Sequence, residues 1–487
     1  MLPSTGSPAA RTFIVKMSFL IALSASVTGC SVGPKYRRPT VNLQPFHNAP
    51  SIEARTASMP SAPLDQWWTG FHDLVLTRVV MRALDQNLDL AVAMTRVEQA
   101  RAAARGAGAR RLPSAALSAS TTSIYQSTES MTGRIGRYLP GYDRSQNYYD
   151  LGISASWEAD LFGGLKKGAE AATAEAQAAE ALHTGTRITV VAEAADAYIQ
   201  VRGAQARLIF AQEQISTDTH LVELVQQRRD AGVASDRELA QAQAVLSQAK
   251  ATVPLIKVSL EAQLNRLDVL MGAQPGTYAA ELTPVVDIPE VPAISDFGTP
   301  TDLLRRRPDI IAAERMVAAS NARIGAALAE YYPKLSLSGV LGSQALAPAH
   351  LFQQQGFQPA GVVGLRWRLF DFGRVAAEVK QARGAEAGAL LQYRSSVLHA
   401  AEDVEDAFSL LVQSENRRNE ILREIEELQR VRDRSEESYT AGVIGLTDVL
   451  DADRQLLAAK DDLAVARESA ARAAIGSYRA LGGGWLQ

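Results

Sequence analysis

The chain has 487 residues, a formal net charge of −3 at pH 7 and an isoelectric point near 6.2. This charge balance gives no indication of a nucleic-acid partner. The single cysteine, Cys30, excludes both an intramolecular disulfide and a zinc site built from cysteines.

The N-terminus has the pattern of a secretory signal, which we assign to residues 1–29. Arg11 and Lys16 supply positive charge ahead of a short apolar stretch at residues 19–27. The signal ends in Val-Thr-Gly-Cys, and small residues before a cysteine are what lipoprotein signal peptidase accepts. We therefore predict that Cys30 is lipidated after cleavage. The alternative is an ordinary buried cysteine after a hydrophobic helix.

The predicted lipid is the only covalent group, and no other cofactor is expected. Ser31 follows the cysteine, whereas an aspartate there usually retains a bacterial lipoprotein in the inner membrane, so sorting to the outer membrane is predicted. Met17 is a second possible start besides Met1. No apolar run of about 18 residues follows Cys30, so no spanning helix is predicted, and deeper membrane contact requires β-strands in a closed barrel.

The chain contains an internal duplication. The heptapeptide Trp157–Gly163 (WEADLFG) aligns with Trp367–Gly373 (WRLFDFG), 210 positions later. Pro113 and Pro333 are 220 positions apart. The first half therefore has about ten extra residues between its proline and its tryptophan, as expected for a longer loop that joins two strands. Such a repeat indicates a fold made of two similar halves.

Each half contains two segments with the period-2 alternation of β-strands. In the first half, Tyr149, Leu151 and Ile153 alternate with small or polar residues. The predicted strands lie near residues 112–128, 147–160, 333–345 and 361–370. A soluble half-buried sheet shows this alternation, and so does a barrel with lipid outside and water inside, so both interpretations stay open at this point.

Two very long helices are predicted, because no proline occurs in residues 163–232 or 373–442. A helix of this length would measure about 100 Å, far more than helices of globular domains. Gly232 and Gly442 are expected to end these helices, because glycine readily adopts the left-handed conformation of a helix C-terminus. Each half therefore ends in a long helical hairpin.

These elements divide the chain into similar halves. We predict a signal, an extended segment, a first repeat, a Pro-rich linker, a second repeat and a tail, at residues 1–29, 30–62, 63–270, 271–300, 301–480 and 481–487. Each repeat consists of a helix, two strands and a long helical hairpin. Four strands cannot close a barrel, which needs about eight. Several copies are therefore expected to share one barrel and one helical tube.

The sequence resembles a known family at several separate motifs. These are WWTGF and the residues after it at 67–103, LRRRPDI at 304–310, and the strand-to-helix junctions ADLFGG at 159–164 and RLFDFG at 368–373. They are similar to motifs of the outer-membrane efflux factors, the TolC-like family, in its lipidated NodT-type branch. The resemblance extends over nearly all of residues 67–478.

The resemblance implies an α+β membrane protein. Its fold would be a homotrimeric outer-membrane β-barrel with four strands per chain, continued by a long periplasmic α-helical barrel. The implied function is the outer-membrane channel of a tripartite efflux system, through which drugs or other small molecules pass unchanged. The implied partners are outer-membrane lipid, a periplasmic adaptor (membrane fusion) protein and an inner-membrane pump driven by protons.

The resemblance also implies a gate at the two hairpin turns. Residues 449–454 (VLDADR) are similar to the family's Val-Leu-Asp-Ala-Gln-Arg, which puts Asp451 at a constricting aspartate and Arg454 in the polar network of the gate. Three copies of Asp451 around a narrow pore would select cations. Asp453 stands where the family usually has glutamine, so the sequence does not fix the exact hydrogen bonds and ion pairs of the gate. Asp448 occupies a position that is commonly acidic in the family and is included among the candidate gate residues, but for it we favour a simpler role, a carboxylate that stabilises a helix N-terminus.

No catalytic constellation is recognisable. The six histidines are scattered, without metal-ligand spacing or cysteine partners, and the glycine-rich spots lack the lysine of a phosphate-binding loop. We therefore predict a protein that is not an enzyme and has no metal site. Two alternatives stay open: an exit duct for one-step protein secretion, and a lipid-anchored coiled-coil scaffold without a pore.

Overall fold

The computed structural model describes most of the chain, namely residues 31–41, 43–55, 60, 62–294 and 298–485. The predicted signal and Cys30 lie outside the described residues. The chain forms two compact units. The first contains the segment up to Pro39, Glu98–Gln177 and Glu314–Leu391, and the second contains Thr40–Val97, Ala178–Ala313 and Gln392–Gln487.

The first unit contains a four-stranded antiparallel sheet whose strands neighbour one another in chain order. The strands are β1 (Ser114–Tyr125), β2 (Ser145–Ala159), β3 (Lys334–Ala345) and β4 (Ala360–Arg366). β4 ends earlier than the predicted range of 361–370. The pairing stops at Arg366 because Arg366 lies opposite Lys334, the first residue of β3. Farther along the chain, the carboxylate of Asp371 accepts hydrogen bonds from the backbone amides of Gly373 and Val375 at 3.0 and 2.8 Å, at the start of the next helix.

The duplication extends to the register of the sheet. In the first strand pair Ser114 lies opposite Ser156, and in the second Lys334 lies opposite Arg366. Lys334 lies 220 positions after Ser114, and Arg366 lies 210 positions after Ser156. These are the same two offsets that relate the halves in the sequence. The two halves therefore build the same hairpin, joined to each other by the pairing of β2 with β3.

Helices make up most of the remaining chain. In order, they are α1 (Ala49–Glu53), α2 (Leu74–Gln86), α3 (Leu88–Ala109), α4 (Met131–Gly136), α5 (Gly164–Asp230), α6 (Asp236–Leu270), α7 (Ala279–Leu282), α8 (Pro300–Arg306), α9 (Pro308–Ala329), α10 (Arg374–Thr440) and α11 (Leu446–Ala480). No helix among the described residues combines the length and the hydrophobicity needed to cross a membrane.

The long helices come in matched pairs. α5 and α10 each have 67 residues, and α6 and α11 each have 35. We call α5–α6 the first hairpin and α10–α11 the second hairpin. α6 continues through Pro254, a residue that usually breaks a helix. Next to this proline, Ile256 packs with Ala204 and Ala211 of α5, and Val253 packs against the same cluster.

An aromatic cluster forms the core of the second unit. The Trp67 side chain is 1% exposed and stacks on Tyr478 with ring centroids 5.2 Å apart. Arg202 on α5 is equally buried and donates hydrogen bonds to the carbonyl oxygens of Leu282 and Pro284, at 3.4 and 2.7 Å. The Pro-rich linker is therefore bound to α5 through its own backbone.

Candidate functional site

Both hairpins turn at a glycine in the left-handed conformation. Gly232 has φ of 74° and Gly442 has φ of 75°. At the second turn the Val443 amide donates a hydrogen bond to the carbonyl oxygen of Ser438 at 2.9 Å, and the first turn has the equivalent bond. This geometry satisfies the last carbonyl groups of a helix and favours glycine at the turn.

The returning helices begin with different caps. In α6 the Ser235 hydroxyl accepts from the Glu238 amide at 3.3 Å, and the Glu238 carboxylate accepts from the Ser235 amide at 2.7 Å. In α11 the Gly445 amide donates to the carboxylate of Asp448 at 3.2 Å. Asp448 thus satisfies a backbone group at the start of its helix, in keeping with the simpler role favoured from the sequence.

Asp451 lies in the second turn of α11 and keeps 48% of its side chain exposed. Its carboxylate accepts hydrogen bonds from Arg454 and, at 2.7 Å, from Gln455. Arg454 is itself 76% exposed. Because both contacts are made within one helix, they orient the carboxylate and leave it accessible to solvent.

Asp453 lies on a different face of α11 from Asp451, since two residues along a helix are about 200° apart around its axis. The side chain of Asp453 is buried and accepts a hydrogen bond from Arg432 of α10 at 3.0 Å. Val449 and Leu456 are buried on either side of it. This apolar spacing could have indicated from the sequence that Asp453 faces a neighbouring helix rather than a pore.

Asp218 of α5 is a second buried carboxylate, which sequence reasoning missed. It is 1% exposed and accepts a hydrogen bond from Gln214 at 2.7 Å. Burial raises the pKa of Asp218 to about 6, helped by the negative charge of Asp453 and opposed by the bond from Gln214. An isolated aspartate in an unbroken helix carries no sequence signal for such an environment.

Apolar packing joins the two hairpins beside their turns. The buried members of this cluster are Leu221, Val225, Ala242, Tyr439, Leu446 and Val449. The guanidinium of Arg228 lies 4.4 Å from the centroid of the Tyr439 ring and donates to the Tyr439 carbonyl oxygen at 3.2 Å. Separation of the hairpins would break these apolar and cation–π contacts.

The segment after the predicted lipidation site is fixed in the first unit. The Val32 amide donates to the carbonyl oxygen of Phe162 at 3.1 Å, and the Phe162 ring stacks on Tyr332 with centroids 4.5 Å apart. The chain that follows Cys30 therefore lies beside the end of β2. Cys30 itself is not among the described residues.

The sequence model of the outer membrane efflux proteins matches residues 79–273 and 299–483. The chain belongs to the outer membrane efflux protein family. The gap between the two matched segments falls in the Pro-rich linker, so each segment covers most of one repeat. This family consists of outer-membrane channels rather than enzymes. In the described residues, no group of three or more histidine, cysteine or acidic side chains could hold a metal ion.

Individual relatives match along almost their whole length. The pyoverdine export outer membrane protein OpmQ of Pseudomonas putida is 30% identical over 96% of this chain and 97% of its own. Nodulation protein T of Rhizobium leguminosarum bv. viciae is 28% identical over 94% of this chain and 92% of its own. Among solved structures, the outer-membrane channel OprN is 32% identical and superimposes with a TM-score of 0.85, over 94% of this chain and 100% of OprN.

These findings confirm the resemblance seen in the motifs, including the NodT-type branch. They also confirm the fold class of an outer-membrane efflux channel, with four strands and two long hairpins per chain. The efflux protein is located in the outer membrane and acts in export. The roles of Cys30, Asp451 and Arg454 stay predictions.

Proposed function

We propose that this efflux protein is a homotrimer that conducts small molecules passively, from an inner-membrane pump and through a periplasmic adaptor, to the cell exterior. The class of substrate is supported by OpmQ, whose name assigns it the export of pyoverdine. The homotrimer is inferred mainly from the outer edges of the sheet, which are unpaired in one chain.

β1 and β4 form the two edges of the sheet, and neither has a partner strand on its outer side among the described residues. Open edges of this length are prone to pair with other strands. Since four strands cannot form a closed barrel, the edges of β1 and β4 are complete only when further copies supply the missing neighbours. Three copies would give twelve strands.

The duplication predicts the register of the pairing between copies. Within the chain, the two halves meet where Ala155 of β2 lies opposite Gly339 of β3. The counterpart of Ala155 in the other half is Leu365 of β4, 210 positions later. The counterpart of Gly339 is Ala119 of β1, 220 positions earlier. We therefore infer that Leu365 of one copy lies opposite Ala119 of the next copy.

The register can be tested with paired cysteines. Leu365→Cys combined with Ala119→Cys is expected to form disulfides between copies and to give covalent trimers on non-reducing gels, because opposed residues bring Cβ atoms within bonding range. Leu365→Cys combined with Thr121→Cys, two residues out of register on the same face, is the control. Equal cross-linking of both pairs would refute the register, and an absence of any cross-link between copies would refute the assembly.

We also propose that Cys30 carries the lipid. Its position directly before the segment fixed at Phe162 supports an anchor beside the end of β2. Cys30→Ser is expected to abolish incorporation of labelled palmitate, while Ser31→Ala retains it. Acyl chains provide modest to stable anchoring, so the variant should still reach the membrane fraction through its barrel. Palmitate on the Cys30→Ser protein would contradict the assignment.

A further inference from the structure

Two carboxylates are buried where the first hairpin meets the second. Asp218 on α5 and Asp453 on α11 are 1% and 2% exposed. Asp218 lies about one turn from Leu221 and Asp453 about one turn from Val449, and these two apolar residues belong to the same cluster. The acidic pair therefore sits at the end of the apolar contact between the hairpins.

Each carboxylate has one satisfied oxygen and one unsatisfied oxygen. Gln214 donates to one oxygen of Asp218 at 2.7 Å, and Arg432 donates to one oxygen of Asp453 at 3.0 Å. The second oxygen of each side chain is buried without a hydrogen-bond partner among the described residues. Leaving such acceptors unsatisfied is unfavourable, more so for charged groups.

The charges near this pair do not balance. Arg432 is the cation that contacts Asp453, but its guanidinium also lies 2.5 Å from Glu436 and 3.5 Å from Asp433 on its own helix. Asp218 has only the neutral Gln214 as a hydrogen-bond partner and is close enough to Asp453 to be affected by its charge. One guanidinium thus faces several carboxylates, and an added proton would reduce their repulsion.

We propose that a proton on Asp218 strengthens the contact between the first and second hairpins, and that loss of this proton weakens the contact. Protonated Asp218 removes the repulsion with Asp453 and supplies a hydroxyl that can donate to an acceptor. Ionised Asp218 restores the repulsion, which is relieved when the helices separate and water reaches both side chains. The contact exists whether or not the protein conducts; its effect on opening rests on the proposed function.

The direction of the pH dependence follows from burial. The pKa of Asp218 is raised to about 6 in the packed hairpins and returns to its ordinary value when they separate. The packed state therefore binds more protons, and its stability falls as pH rises through about 6. Between pH 5 and pH 7.5 these values correspond to a decrease of about tenfold in the packing equilibrium.

Hydrogen–deuterium exchange of the detergent-solubilised full-length protein tests this link. After correction for intrinsic exchange rates, amides of residues 214–225 and 446–456 are expected to lose about tenfold in protection from pH 5 to pH 7.5. Asp218→Asn should abolish the dependence and keep high protection at both pH values. Asp453→Asn should shift the dependence to lower pH. Asp230→Asn, which alters an exposed carboxylate at the end of α5, should behave like the wild type.

Protection that is independent of pH in the wild type, or an unchanged dependence in Asp218→Asn, would overturn the proposal. Exchange requires no transport, so its result is separate from that of the channel assignment. A protein that fails to conduct but shows the expected exchange would contradict the proposed function and leave the protonated pair intact. A conducting protein with pH-independent exchange would contradict the role of the proton on Asp218 and leave the proposed function intact.

Discussion

Arg432→Ala is expected to loosen the packing of α10 against α11, within the second hairpin, by about two orders of magnitude. The change leaves Asp453 buried with no cation, and removal of one partner from a buried ion pair typically destabilises by about 3–5 kcal/mol. Arg432 keeps 21% of its side chain exposed, so we expect the low end, about 3 kcal/mol. Asp453 can respond by taking up a proton, and the effect should therefore be larger at pH 8 than at pH 5.

The loosening can be measured as the reactivity of a reporter cysteine. Ala452→Cys places a thiol at a buried position of α11, and its rate of alkylation reports local opening. Adding Arg432→Ala should raise this rate about 100-fold, whereas Arg434→Ala, an exposed neighbour on α10, should leave it unchanged. Further addition of Asp453→Ala should restore slow labelling in part. Slow labelling in the Arg432→Ala protein would show that this pair does not hold α10 and α11 together.

Asp451→Ala is expected to raise single-channel conductance and to bring the ratio of cation to anion permeability close to one. In the proposed trimer, three Asp451 carboxylates around the opening would attract cations, and the substitution removes their charge. The intrahelical bonds from Arg454 and Gln455 hold each carboxylate in place in the wild type. The measurement is the reversal potential across a planar bilayer that separates unequal salt concentrations.

Asp448→Ala is the matched control for this experiment. Asp448 accepts a bond from the Gly445 amide, so its replacement should cost about 1 kcal/mol of helix stability and preserve ion selectivity. Equal loss of selectivity in both variants would place Asp448 in the pore. Unchanged selectivity in Asp451→Ala would remove Asp451 from the gate.

The repeated architecture could be predicted from the sequence because it depends on local signals. Prolines, tryptophans and glycines at fixed offsets defined the two halves, and the same offsets reappear in the register of Ser114 with Ser156 and of Lys334 with Arg366. Gly232 and Gly442 marked the turns because few other residues adopt their backbone conformation without strain. These features are set by neighbouring residues and require no knowledge of which helices meet.

The buried polar contacts could not be predicted, because they depend on tertiary packing. Asp218 and Arg432 are ordinary charged residues in long polar helices, and their environment arises only when α5, α10 and α11 come together. The passage of α6 through Pro254 also depends on tertiary packing, since Ile256 and Val253 beside it pack against α5. The burial of Asp453 was not predicted either, although the apolar Val449 and Leu456 at helical spacing around it could have indicated it.

The central claim is that copies of this chain together enclose a single pore. Native mass spectrometry of the detergent-solubilised protein tests it most directly, since it counts the chains in each particle. We expect a particle that contains three chains and persists when the protein is diluted. A particle of one or two chains would contradict the claim, because the edges of β1 and β4 would then have to be satisfied without the predicted trimer.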